Sequence, residues 1–321
     1  MTDEPSPRAT AFAPGKIILF GEHAVVYGRP AIAVPVFQVR AQVTVEPHEG
    51  GVEIDAADIA RRYDLRDAPA DDPIATMIER TCARLGVAPK DFAVHIHSTI
   101  PVARGLGSGA AVSVAIGRAL AQFFERDLAR EELSALAYEV EKLHHGAPSG
   151  IDNTVIAFEQ PVYFVRGQPI ESFRVARPFS IAIADTGVAS PTKIAVGDVR
   201  RAWEADRARY DALFDQIGAI ARDARAAIER GDVGALGPLM NANQELAREI
   251  GVSSPEIETL INAAQDAGAR GAKLSGAGRG GNVIVLVDEG NREQVERALM
   301  EEGAKRVIVT KVESDYQIST L

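Results

Sequence analysis

Apolar positions along this chain follow two rhythms, one of period two and one of period 3.6, and both occur in each half. The first, or a short unbroken apolar run, predicts strands; the second predicts helices. Ala9 to Ala13 reads as a short strand leading into Pro14-Gly15-Lys16, and Ile17 to Phe20 as a buried strand too short for a helix. Ala31 to Val45 gives one or two strands, Val52 to Ile54 another, and Asp55 to Asp72 a polar insertion. Pro73 to Leu85 is an amphipathic helix with Ile74, Met77, Ile78 and Cys82 on one side. Phe92 to Ile100 alternates as a strand, which puts His95 and His97 on one face; with no third ligand nearby, that face reads as solvated and not as a metal site. Ala110 to Leu120 reads as a buried helix and Arg130 to His144 as a second. Gln160 to Val165 reads as a strand.

The second half opens with a buried strand, Phe179 to Asp185. A long helix is predicted from Ser190-Pro191-Thr192-Lys193, with proline at an early position, to about Arg230. Helices Val233 to Ile250 and Pro255 to Ala267 follow, then strand Asn282 to Val287, helix Arg292 to Glu302 and strand Arg306 to Lys311. This is an α+β layer, and the division from the first half falls near Pro169 to Pro178. Two domains are expected, residues 1–172 and 173–321, as a length of 321 residues also suggests.

Composition narrows the class. Hydrophobic residues make up 46% and charged residues 25%, the profile of an ordinary globular protein. A formal charge of −10 argues against nucleic acid or an anionic membrane as partner. No apolar run approaches the ~20 residues of a membrane span, and Met1 to Thr10 has no signal-peptide core. Cys82 is the one cysteine, which removes intrachain disulfides and thiolate clusters and fits a reducing cytoplasm.

Four stretches carry candidate chemistry. In Pro101-Val-Ala-Arg104-Gly105-Leu106-Gly107-Ser108-Gly109-Ala110-Ala111, a glycine loop opens an apolar helix, so unpaired N–H groups and the positive end of a helix dipole meet. That combination attracts phosphate, although a plain flexible turn would leave the same letters. The Walker loop is excluded, because no Lys-Ser or Lys-Thr follows the glycines. The dinucleotide fingerprint fits as Gly105-x-Gly107-x-x-Ala110, but Pro101 separates the preceding strand from the glycines. Lys16, Glu22 and His23 lie among apolar runs and either line a polar pocket or satisfy a turn. His145-Gly-Ala-Pro-Ser-Gly150-Ile-Asp152-Asn153 is a tight turn after Glu141, with Asp152 either a functional carboxylate or a helix cap. Lys273 to Gly281 is a second glycine cluster.

Taken in series, these stretches resemble the GHMP kinases, the small-molecule kinases named after galactose, homoserine, mevalonate and phosphomevalonate. Pro14-Gly15-Lys16 through His23 and Ala184-Asp-Thr-Gly through Ser-Pro-Thr-Lys193 resemble the mevalonate-phosphorylating branch in particular. The resemblance covers nearly the whole chain. It implies a two-domain α+β GHMP kinase fold, with an N-terminal domain like the second domain of ribosomal protein S5, a ferredoxin-like C-terminal domain, and an active site in the cleft between them. It implies ATP as donor, Mg²⁺ as metal and mevalonate as acceptor, in isoprenoid precursor synthesis, and dimers are common in the family. A phosphomevalonate kinase, a mevalonate-type decarboxylase or another small-molecule kinase remains open on the same letters.

Carried over by motif, Asp152 is the base and Lys16 its cationic neighbour. Pro101, Arg104, Gly105, Leu106, Gly107, Ser108, Gly109, Ala110 and Ala111 form the ATP loop. Glu141, eleven residues before Asp152, and Ser108 hold the metal. Lys16, Glu22 and His23 face the substrate, and Arg166 grips its carboxylate. One departure stands out. The family shows Gly-Leu-Gly-Ser-Ser-Ala-Ala, and here the second serine is Gly109. Ser108 must then serve alone or with water, or the chain is a nucleotide-binding regulator without turnover.

Overall fold

The computed structural model describes residues 8–102, 104–145, 148–190 and 192–314. Ala103, Gly146, Ala147 and Pro191, which belong to the motifs above, lie outside the described residues, as do residues 1–7 of the N-terminal segment. The chain forms two compact units: Met1–Gly15, Val39–Pro101 and Gly107–Glu159 make the first, and Lys16–Gln38, Val102–Leu106 and Gln160–Leu321 the second. Strands β1 (Ala9–Phe20) and β2 (Ala31–Pro47) each begin in one unit and end in the other.

In the first unit come β3 (Val52–Ala56), β4 (Arg61–Asp64), α1 (Pro73–Leu85), β5 (Phe92–Ser98), α2 (Ser108–Phe123), α3 (Arg130–His145) and α4 (Ile151–Phe158). The later part of β2 runs antiparallel to β5, from Ala41 opposite Ser98 to Pro47 opposite Phe92. β3 lies parallel to β5 on its other side, and β4 pairs antiparallel with β3. The polar insertion thus contains a strand that its charge concealed. Asp72 caps α1 by accepting from the Ile74 and Ala75 amides, both at 2.9 Å, and Ile74, Met77, Ile78 and Cys82 are all buried. Where α1, α2 and α3 meet, Gly117 leaves room for its neighbours: a Cβ there would stand 2.4 Å from Leu133 Cδ1 and 3.0 Å from Met77 Cε, so those side chains would have to shift. His97 pairs with Asp58 at 2.9 Å and His95 with Glu46 at 3.2 Å; among the described residues no set of three His, Cys, Asp or Glu could hold a metal.

The second unit continues with β6 (Val162–Phe164), β7 (Glu171–Ser172), β8 (Phe179–Asp185), α5 (Thr192–Ala205), α6 (Arg207–Arg230), α7 (Leu236–Glu249), α8 (Pro255–Asp266), β9 (Ala272–Ser275), β10 (Asn282–Val287), α9 (Arg292–Glu301) and β11 (Arg306–Val312). The first residues of β2 pair with β6, and β6 with β7. The remaining strands form an antiparallel sheet in the order β11-β8-β10-β9. With helices after the first and third of its strands, that is the ferredoxin-like βαββαβ arrangement. Its core joins Val283 and Val285 of β10 to Phe214, Ile217, Ile257, Ile261 and Leu299 of the helices, with Ala24 from the N-terminal segment.

Three expectations are corrected. The long helix to Arg230 is two helices, because Asp206 leaves helical geometry and its side chain accepts from the Arg209 amide at 3.2 Å. The two short strands around Pro14-Gly15 are one strand of 12 residues, held by pairing with β2. The cap of α4 is Gly150, in the left-handed region at φ 90°, so Asp152 lies inside the first turn and is not the cap. Among the described residues, no helix is long and apolar enough to cross a membrane.

Candidate functional site

In the first unit, Gly107 adopts φ 75°, where residues with a Cβ are strained, and hands the chain to α2 at Ser108. No side chain caps α2, so its first N–H groups keep their capacity for an outside acceptor. Gly109, Ala110 and Ala111 form the rest of the opening turn, and a Cβ on Gly109 would meet nothing within 4 Å. Glu141 lies on α3 with 9% exposure. Asp152 is half-buried in the first turn of α4, near the positive end of the helix dipole. Its neighbour Asn153 is fixed by donating to Ser134 O at 3.0 Å and Ser134 Oγ at 2.9 Å, which sets the rotation of the helix.

In the second unit, the Lys16 amide donates to Leu106 O at 3.0 Å and so ties β1 to the glycine loop. Lys16, Glu22 and His23 are all buried. His23 Nε2–H donates to Ala277 O at 2.9 Å, which links the turn after β1 to the second glycine cluster. Burial drives its imidazole down to about 4, so it is neutral at physiological pH. Glu22 forms a buried ion pair with Lys273 of β9, whose Nζ also donates to Leu274 O at 2.6 Å. Removal from water raises the Glu22 carboxyl and lowers the Lys273 ammonium, while their mutual attraction opposes both shifts. Arg104 approaches Asp185 at 3.6 Å; its Nη1 is buried and makes no hydrogen bond among the described residues. Arg166 is exposed and donates to Val26 O at 3.3 Å, beside the same turn.

The second glycine cluster is shaped by close backbone approach. A Cβ on Gly278, at φ 73°, would stand 2.1 Å from Val252 O. Ser190 Oγ donates to Gly278 O at 2.5 Å, Thr186 Oγ1 to Gly281 O at 2.9 Å, and Asn282 Nδ2 to Arg104 O. The second unit therefore gathers Lys16, Glu22, His23, Arg104, Gly105, Leu106 and Arg166 with the 273–281 cluster, while Pro101, Gly107 to Ala111, Glu141 and Asp152 belong to the first. Sequence reading assigned no role to Lys273. The available signal was a lysine between Ala272 and Leu274 in an apolar strand.

The chain belongs to the GHMP kinases: the N-terminal domain of that family matches residues 73–160 and its C-terminal domain residues 224–305. Its relatives include the mevalonate kinase of Thermococcus sibiricus, 36% identical over 326 residues with 95% of this chain and 96% of that one covered. The mevalonate kinase of Aeropyrum pernix is 36% identical over 300 residues, covering 91% of each chain. Among solved structures, L. major mevalonate kinase in complex with R-mevalonate superposes with a TM-score of 0.84 at 28% identity, over 98% of this chain and 99% of the other.

Proposed function

We propose that this chain transfers the γ-phosphoryl group of ATP to the 5-hydroxyl of mevalonate, giving 5-phosphomevalonate for isoprenoid precursor synthesis. The observation that carries the reading is likeness to mevalonate kinases along 95% of the chain. The buried Lys16–Glu22–His23 segment and the uncapped start of α2 support it.

Phosphoryl transfer through a loose transition state needs alignment, charge neutralisation and an acceptor for the hydroxyl proton. In this proposal the Asp152 carboxylate accepts that proton, and Lys16 offsets charge on the moving phosphoryl group. The loop from Pro101 through Arg104, Gly105 and Leu106 to Ala111 takes the triphosphate on backbone N–H groups, with the α2 dipole behind it. Arg166 takes the substrate carboxylate with its fork, and Glu22 and His23 bind the remaining polar groups. Glu141 and Ser108 would hold Mg²⁺; one carboxylate and one hydroxyl, completed by phosphate oxygens and water, suit this hard cation. Bound there, Mg²⁺ shields phosphate charge. The domain division at 172/173, a homodimer and a cytoplasmic setting complete the proposal.

The test is ADP release from the purified chain with mevalonate, 5-phosphomevalonate, galactose and homoserine, each with Mg²⁺ and ATP. Mevalonate is expected to be the best acceptor. Mevalonate as the poorest acceptor overturns the assignment, and tight ATP binding without turnover points to a regulator.

A further inference from the structure

Lys273 is hard to explain as packing. Every residue of β9 is buried, and the Lys273 side chain has no exposure at all. Placing an ammonium there is costly, and buried ion pairs are often replaceable by apolar side chains without loss of stability. What the lysine holds is Glu22, 251 residues earlier in sequence and next to His23 in the turn after β1. Lys273 takes one carboxylate oxygen, Oε1. The other, Oε2, is buried and accepts no hydrogen bond among the described residues. The charged groups acting on this carboxylate are Lys273 from β9 and Lys16 from β1, and its neighbour His23 is neutral. One oxygen is thus anchored by the protein, and the other is left with its acceptor capacity unused inside a buried site.

We propose that Lys273 is a positioning residue for phosphoryl transfer, holding Glu22 by Oε1 so that Oε2 stands as a fixed, ionised acceptor for a hydroxyl of the substrate. This rests on the kinase reading above. Lys273 touches no reacting atom and acts through Glu22. Without its cation, burial drives Glu22 toward the neutral acid, which donates where the site needs an acceptor.

A double-mutant cycle with a pH profile tests this. Lys273→Met is expected to lower kcat/KM for the alcohol about 10- to 100-fold and to move the acid limb of the profile up by about one pH unit or more. Lys273→Arg keeps the cation and should leave that limb in place. Glu22→Gln should remove the Glu22 contribution to the limb, so that Lys273→Met no longer moves it, and in that background Lys273→Met should change kcat/KM by less than about twofold. An unmoved acid limb in folded Lys273→Met, or the same loss in both backgrounds, overturns the proposal. Should Lys273→Met fail to fold, comparing Glu22→Gln with the double variant, whose pair carries no charge, decides the matter. Wild-type turnover tests the kinase reading separately. If another alcohol replaces mevalonate the cycle is run on that alcohol, and if none is phosphorylated both proposals fall.

Discussion

Restoring the family's second serine, Gly109→Ser, is the most informative perturbation of the proposed phosphate loop. Gly109 is the second residue of α2, its φ is not positive, and a Cβ there meets nothing within 4 Å. Glycine in a helix costs about 1 kcal/mol relative to alanine and serine roughly half that, so the exchange should gain about 0.5 kcal/mol. For a chain of this size that raises the melting temperature by about 0.7 °C. Gly107, two residues earlier, is at φ 75°. Gly107→Ser forces a left-handed residue and should lose about 1–2 kcal/mol. The two substitutions therefore carry opposite signs within one loop. For activity, the new hydroxyl offers a second hard donor beside Ser108. One added hydrogen bond of about 1 kcal/mol corresponds to a roughly fivefold gain in kcat/KM, with less Mg²⁺ needed for half-maximal rate. Thermal melts and ADP release across a Mg²⁺ titration read both effects. A folded Gly109→Ser protein with several-fold lower kcat/KM would refute the assignment of this turn to phosphate and metal, and a lowered melting temperature would refute its helical placement.

Asp152→Asn should lower kcat by ~10²–10⁴ with the fold intact, and an unimpaired variant removes Asp152 as the base. Gly278→Ala sets a Cβ 2.1 Å from Val252 O at φ 73° and should cost about 3 kcal/mol or more, read as a thermal shift; a neutral result means the loop does not pack as described. His23 has a folded-state value of about 4 against an ordinary 6.5. Above 6.5 it is neutral in both states; as pH falls from there toward 4 only the unfolded chain takes up its proton, so stability drops by about 3 kcal/mol over that window. Urea melts at several pH values should show a shallower slope in His23→Gln, and equal slopes would contradict the burial of a neutral imidazole.

Periodicity read well wherever one force dominated. Pro73 to Leu85, Phe179 to Asp185 and Asn282 to Val287 have the bounds their patterns implied, because each buries one consistent face or run. It failed where distant contacts decided. Pro14 and Gly15 break local patterns, yet pairing carries β1 through them. Asp206 is indistinguishable in sequence from any exposed helical aspartate until its side chain is seen to cap. The types of the candidate site residues were legible in four motifs, but their partners were not. Nothing near Glu22 in sequence announces Lys273, and nothing near Lys16 announces that residues 16–38 fold with residues 160–321.

That last arrangement bears on how the protein emerges from the ribosome. Ala24 shares a core with Leu299, so at ~5–20 residues per second the earlier residue waits on the order of 15 to 55 seconds for the later one. Meanwhile the nearby Ile17-Ile18-Leu19-Phe20 run has no finished core to enter. Nascent chains halted before α9 should stick to holdase chaperones through this early segment, and release should come only once α9 has been translated.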